Sequence, residues 1–240
     1  MNSFAIYQTR SIPGQIRDPQ GTARQVSNLA SQACHPANLA SVPRLRRYRT
    51  GDHDAVYDIC VRTGAAGGDA THLLRDPALL GHIYAGPYLT LASDLAFVVE
   101  DDDGVAGYVL GAADTAEFED RLEREWWPEL RRRYPAYRTD GDADFDDLLI
   151  ALMHSPARTR ADLVATYPSH LHIDLLPRLQ GQGWGRRLID RLMAQLRATG
   201  SHGLHLGVAT ANTKAQAFYR VVGFTELGDD GVTVTFAMPL

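Results

Sequence analysis

Residues 169–200 read SHLHIDLLPRLQGQGWGRRLIDRLMAQLRATG, and the fold class turns on them. SHLHIDLLP (169–177) reads as a strand ended by Pro177. A glycine-rich turn follows, Gln180-Gly181-Gln182-Gly183-Trp184-Gly185. The rest has helical spacing, with Leu188, Ile189, Leu192, Met193 and Leu196 on one stripe and Gly200 at the C-cap. Glycines let a backbone approach a ligand closely, and a helix starting there aims unpaired N–H groups and a positive dipole end outward. That suits a pyrophosphate, although a tight turn without a ligand has the same look. The dinucleotide fingerprint does not fit, because Arg186 stands where a third small residue belongs and the next strand ends without a ribose-binding acid. The Walker loop fails for want of Gly-Lys-Ser/Thr.

Downstream, GLHLGVAT (203–210) is a strand, NTKAQAFYRVVG (212–223) a helix, and two strands close the chain. Upstream, LRRYRT from Leu45 is a short strand, and Asp52 is placed to cap a helix through DHDAVYDICVRTG. DPALLGHIYAGPYLTL is a second helix stopped by Gly86-Pro87. DLAFVVE, the turn DDDG and VAGYVLGAAD form a hairpin. Residues 116–134 are a charged helix, and an acidic loop, TDGDADFDD, leads to a helix ending near His154. The chain is thus mixed α/β.

Composition bounds the rest. The chain has 240 residues and 45% hydrophobic content, enough to bury a core unaided. A net charge of -5 argues against a general nucleic-acid binder. No apolar run approaches the ~20 residues of a membrane helix. Cys34 and Cys60 make neither a disulfide framework nor a zinc site, which fits a reducing cytoplasm. Lys214 is the sole lysine among 24 basic residues, a bias typical of a GC-rich genome. Residues 1–43 carry one acid, Asp18, and are rich in Ser, Gln, Asn, Pro and Ala, so they read as a flexible or draped arm before one domain over 44–240. A helical insertion occupies about 115–165.

Gln180-x-x-Gly183-x-Gly185, after a strand ending in Pro177, resembles the acyl-CoA signature Q/R-x-x-G-x-G/A of the GNAT acetyltransferases. Asn212-x-x-Ala215-x-x-x-Tyr219-x-x-x-Gly223-Phe224 is similar to that family's second signature. The resemblance covers about residues 44–240. LRRYRTGDHDAVYDIC, YAGPYLTL and AFVVEDDDGVAGYVLGAAD look like one branch, the acetyltransferase-like C-terminal domain of O-GlcNAcase and its bacterial relatives. The resemblance implies a mixed, mostly antiparallel twisted sheet, two splayed central parallel strands (169–176 and 203–209) and helices on both faces. It implies acetyl-CoA as co-substrate, held by backbone groups of Leu175 and Leu176, by the amides from Gln182 to Arg186 within the loop Gln180, Gly181, Gln182, Gly183, Trp184, Gly185, and by Asn212. Arg186, Arg187 and Lys214 are candidates to reach phosphates, or are solvated helix residues.

The resemblance also implies that Tyr219 protonates the departing thiolate. By pattern alone, Ala215, Phe218, Tyr219 and Val222 form a buried helix face. On the strand, Leu171, Ile173 and Leu175 share one face and His170, His172 and Asp174 the other. Three ionisable groups on a central strand suggest a wet cleft. There Asp174, or else His172, would take a proton from an amine. Hydrogen-bonded structural histidines and an H-x-H-x-D metal site are the alternatives, and no metal is expected. Aspartates 140, 142, 144 and 146 lack the glycine and glutamate of a calcium loop. They read as solvated, or as a lid drawing in a cationic acceptor. Tyr88, Trp127, Trp126 and Tyr84 are candidates for an acceptor pocket or for the core. The expected activity is acetyl transfer from acetyl-CoA to an amine by direct attack in a ternary complex. A non-catalytic acyl-CoA-binding scaffold and a protein-lysine, histone-like acetyltransferase are its rivals. Nucleic acid and membrane are not expected partners, and a homodimer stays open.

Overall fold

The computed structural model describes residues 42–136 and 143–240. The arm to Ser41, and Asp140 and Asp142 of the acidic loop, lie outside them. In order the elements are β1 (Arg44–Arg47), α1 (His53–Thr63), α2 (Ala78–Tyr84), α3 (Gly86–Leu91), β2 (Ala96–Asp101), β3 (Gly104–Ala112), α4 (Thr115–Arg121), α5 (Trp127–Arg133), α6 (Phe145–His154), α7 (Ala161–Thr166), β4 (Ser169–Leu175), α8 (Trp184–Ala198), β5 (Gly203–Ala209), α9 (Thr213–Val222), β6 (Thr225–Asp229) and β7 (Thr233–Pro239).

The seven strands make one sheet in the order β1-β2-β3-β4-β5-β7-β6. Every pairing is antiparallel except β4 with β5. That parallel pair meets only at Ser169–Leu204 and His170–His205, after which the strands part. Parity then sorts the faces. Tyr108 of β3 and Asp174 of β4 stand opposite each other and reach the Cys60 side chain of α1. Odd positions face α8, where a Cβ on Gly111 would meet Leu192 at 2.7 Å. The α8 stripe is fully buried at Leu188, Ile189, Leu192 and Leu196, as its spacing requires.

Four local features add to or depart from the sequence reading. α2 does end just before Gly86-Pro87, at Tyr84, but the pair also begins α3, where proline's missing N–H costs no helical bond. Asp52 does not cap α1; its carboxylate accepts from the Arg49 amide (2.8 Å) and from Arg46 Nη1 (2.6 Å). The charged helix is one run from Thr115 to Arg133 with a π turn at Leu122–Trp126, in which the Trp127 amide reaches the Leu122 carbonyl. Pro128 has no amide to continue the ordinary ladder there. The short α7 was not anticipated. The described part of the acidic loop is spent on structure. Asp144 accepts from the Asp147 amide at the start of α6, and buried Asp146 accepts from the amides of Arg75 and Asp76. No helix among the described residues is long and apolar enough to cross a membrane.

Candidate active site

The glycine turn joins β4 to α8. Gly181 and Gly183 have φ of +72° and +81°, and Gly183 is the residue before the helix. A side chain at Gly183 would be strained, and a Cβ there would meet nothing within 4 Å, so the turn is open outward. At Gly185 the reason for glycine is different. A Cβ would stand 2.9 Å from the Phe218 ring of α9, so Gly185 lets α8 and α9 pack closely. The first backbone bond into α8 runs from the Arg187 amide to the Gly183 carbonyl (3.2 Å). The amides just before it have no partner within the helix. Trp184 is buried and Arg187 stacks over it at 4.5 Å, while Arg186 pairs with Asp190 (3.0 Å). Gln182 donates to the Arg178 carbonyl (2.7 Å), and Arg178 pairs with Asp101 (2.8 Å), tying the turn to the β2–β3 hairpin.

Backbone alternation decides which groups of β4 face the gap. The Leu176 amide donates to the Ala106 carbonyl (2.8 Å), and the Leu176 carbonyl accepts from the Leu179 amide (3.0 Å). Leu176 therefore has both groups engaged within the chain, with its amide turned to β3 and away from the gap, contrary to expectation. In an antiparallel ladder hydrogen-bonded and open pairs alternate, so the neighbouring pair Gly107–Leu175 is open on the β3 side. The amide and carbonyl of Leu175 point toward β5, into the gap. Ile173 shares that orientation. Gln180 Nε2 donates to the Leu175 carbonyl (2.8 Å).

The cleft between the parted strands is lined by Tyr88, His172, Asp174, Asn212 and Tyr219, with His170 and His205 at its closed end. Asn212 caps α9 by accepting from the Ala215 amide (3.1 Å). Trp127 is 1% exposed and packs in the core, away from the cleft, so it is withdrawn as an acceptor contact. Tyr88 is also buried, but its hydroxyl meets His170 Nε2 (2.8 Å) at the cleft floor. The other His170 nitrogen meets the Thr115 hydroxyl (2.8 Å). With both nitrogens engaged and burial lowering its pKa, His170 is a neutral structural histidine, which also removes the H-x-H-x-D metal reading. Burial likewise lowers His205, to about 4, and its Nδ1 donates to the Tyr167 carbonyl (2.7 Å).

His172 and Asp174 form a pair. His172 Nδ1 lies 2.8 Å from the Tyr84 carbonyl, an acceptor only, so that nitrogen carries a hydrogen. Nε2 lies 2.9 Å from Asp174 Oδ2. The Tyr108 hydroxyl donates to the same Oδ2 (2.7 Å). The side chains of His172 and Asp174 are 10% and 15% exposed, so both meet the cleft, while Tyr108 behind them is fully buried. Tyr219 is buried from α9, and its hydroxyl has no hydrogen-bond partner among the described residues. Burial raises its pKa and the Asp174 charge raises it further, which keeps the hydroxyl protonated across the physiological range. Tyr108 was missed because a tyrosine in an apolar strand carries no motif, and only the cross-strand register puts it opposite Asp174. Among the described residues no group of three or more His, Cys, Asp or Glu is arranged to hold a metal.

A family model described as Acetyltransferase (GNAT) family matches residues 71–224. Protein O-GlcNAcase of Rattus norvegicus is 26% identical over 189 residues, which are 78% of this chain and 20% of that protein. The protein of the same name from Mus musculus matches to the same extent. The chain thus spans 20% of the length of these curated relatives. Among solved structures, SsHAT is 41% identical with a TM-score of 0.78, covering 83% of this chain and 98% of its own. PH1933 from Pyrococcus horikoshii OT3 shares the fold at 15% identity, with a TM-score of 0.53 and coverage of 83% and 99%.

Proposed function

The chain belongs to the GNAT acetyltransferase family, and on that premise we propose that it transfers an acetyl group from acetyl-CoA to an amine by direct attack in a ternary complex. One observation carries the reading. Asp174 and Tyr219, on elements far apart in sequence, line the same cleft between the parted strands β4 and β5.

The residues present fit the co-substrate. The unpaired amides from Gln182 to Arg186 and the helix dipole would hold the pyrophosphate, with Gly183 leaving room for it. The gap-facing backbone of Leu175 and Ile173 would line the pantetheine arm, the Leu175 carbonyl exchanging its bond to Gln180. Acetyl-CoA supplies an activated thioester carbonyl. Asp174 takes a proton from the amine nitrogen, with His172 beside it to share the charge. The protonated Tyr219 hydroxyl donates to the leaving sulfur, and exchange with solvent resets both groups. Since His172 and Asp174 touch, the choice of base becomes a property of the pair.

The test is CoA release, followed with a thiol reagent across a panel of small amines and lysine peptides, beside a thermal shift with acetyl-CoA. Release with at least one acceptor is the expected result. A shift without release from any acceptor would favour the non-catalytic scaffold, and neither shift nor release at millimolar acetyl-CoA would overturn both readings.

A further inference from the structure

Tyr108 is wholly buried on β3, and its hydroxyl donates to Asp174 Oδ2 at 2.7 Å. His172 Nε2 meets that same oxygen at 2.9 Å. Both hydrogen bonds of the Asp174 carboxylate thus fall on Oδ2, and Oδ1 makes none to the described residues. A carboxylate gripped through one oxygen by two groups, one on the facing strand and one on its own, has little freedom to rotate. We infer that Tyr108 is a positioning residue for acetyl transfer: its hydroxyl pins Asp174 through Oδ2 so that Oδ1 meets the acceptor nitrogen. The inference rests on the acetyltransferase reading above.

The arrangement gives Tyr108 two effects. It sets the carboxyl plane, and it stabilises the ionised carboxylate, because a hydrogen bond donated to the charged form favours that form. The groups facing Asp174 are Tyr108 on β3, His172 on β4, the Cys60 thiol on α1 and the Tyr219 hydroxyl on α9. Cys60 and Tyr219 are held neutral by burial, so Tyr108 and His172 are the groups that set the state of the carboxyl. The Cys60 thiol adjoins the Tyr108 hydroxyl from behind, which keeps that hydroxyl dry.

Tyr108→Phe keeps the ring and removes one donor. Its kcat is expected to fall roughly tenfold to a hundredfold, the worth of one hydrogen bond to a charged group, with KM for acetyl-CoA and the acetyl-CoA thermal shift unchanged. The acid limb of the pH–rate profile should move up, because the carboxylate loses a donor that favours its charged form. In Asp174→Asn the further change Tyr108→Phe should add nothing, because the carboxylate it serves is gone. NMR titration of the His172 ring, which needs no turnover, should show His172 protonated to higher pH in Tyr108→Phe, because a less satisfied carboxylate holds the imidazolium more tightly. Additive losses in the double variant, or an unmoved acid limb and His172 titration, would overturn the inference and leave Tyr108 a packing residue. Normal turnover in Asp174→Asn would overturn it together with the acid–base reading. Collapse of Asp174→Asn beside a wild-type Tyr108→Phe would overturn the positioning role alone.

Discussion

In the proposed reaction, Asp174 and Tyr219 divide the proton work between a carboxylate that opens onto the cleft and a hydroxyl held protonated by burial. Each such role is worth about 10²–10⁴-fold, so Asp174→Asn and Tyr219→Phe should each lower kcat by about that much while leaving acetyl-CoA binding nearly intact. Steady-state rates beside calorimetric affinities check both halves of the statement. Asp174→Asn should also lose the acid limb of the profile, whereas Tyr219→Phe should lose any fall at high pH. His205 makes a stability prediction. Its ordinary value of 6.5 falls to about 4 in the fold, since burial disfavours the imidazolium. Below pH 6.5 the unfolded chain binds a proton that the folded chain refuses. Stability is therefore full above that pH and declines as pH falls toward 4, by about 3 kcal/mol from this group. Thermal melts of wild type and His205→Gln from pH 7 to 4 should converge in slope only if His205 plays no part; a flatter curve for the variant is the expected result.

At the scale of elements, the β4–turn–α8 unit is the most legible part of the chain. Its strand, its glycines and its apolar stripe each obey a local rule, and all three agree. Gly183→Asp should abolish the acetyl-CoA thermal shift, because the position has φ +81°, opens outward and would place a carboxylate against the pyrophosphate. A variant that keeps the wild-type shift would remove the glycine turn from the binding site. Elsewhere local rules misled. Gly86-Pro87 looks like a stop alone, yet it also starts the next helix. Asp52 looks like a cap, yet the nearby Arg46 guanidinium attracts its carboxylate backward more strongly than the helix amides attract it forward.

For the whole molecule, the described residues form one seven-stranded sheet, and the composition of the first 41 residues offers little to a core. Deleting residues 1–43 should leave acetyl-CoA affinity within a few-fold of wild type, measured by calorimetry. Loss of binding or of cooperative unfolding would show that the segment packs on the domain. The helical stretch between β3 and β4 supplies Thr115, which fixes His170 at the floor of the cleft.

Sequence by itself determined the order of the strands and of the longer helices, the glycine turn, the partition of β4 into an apolar and an ionisable face, and the candidates Asp174 and Tyr219. All of these are local periodicities or short motifs, which a chain carries before it folds. Tertiary structure alone decided what the ionisable face does. The register of β3 against β4 places Tyr108 opposite Asp174, and the helices α3 and α4 bring Tyr88 and Thr115 onto His170. It also decided that Leu175 faces the gap and Leu176 does not, since backbone alternation depends on which pairs of the ladder are bonded. Contacts between residues distant in sequence arise from pairing and packing, and no local pattern encodes their partners.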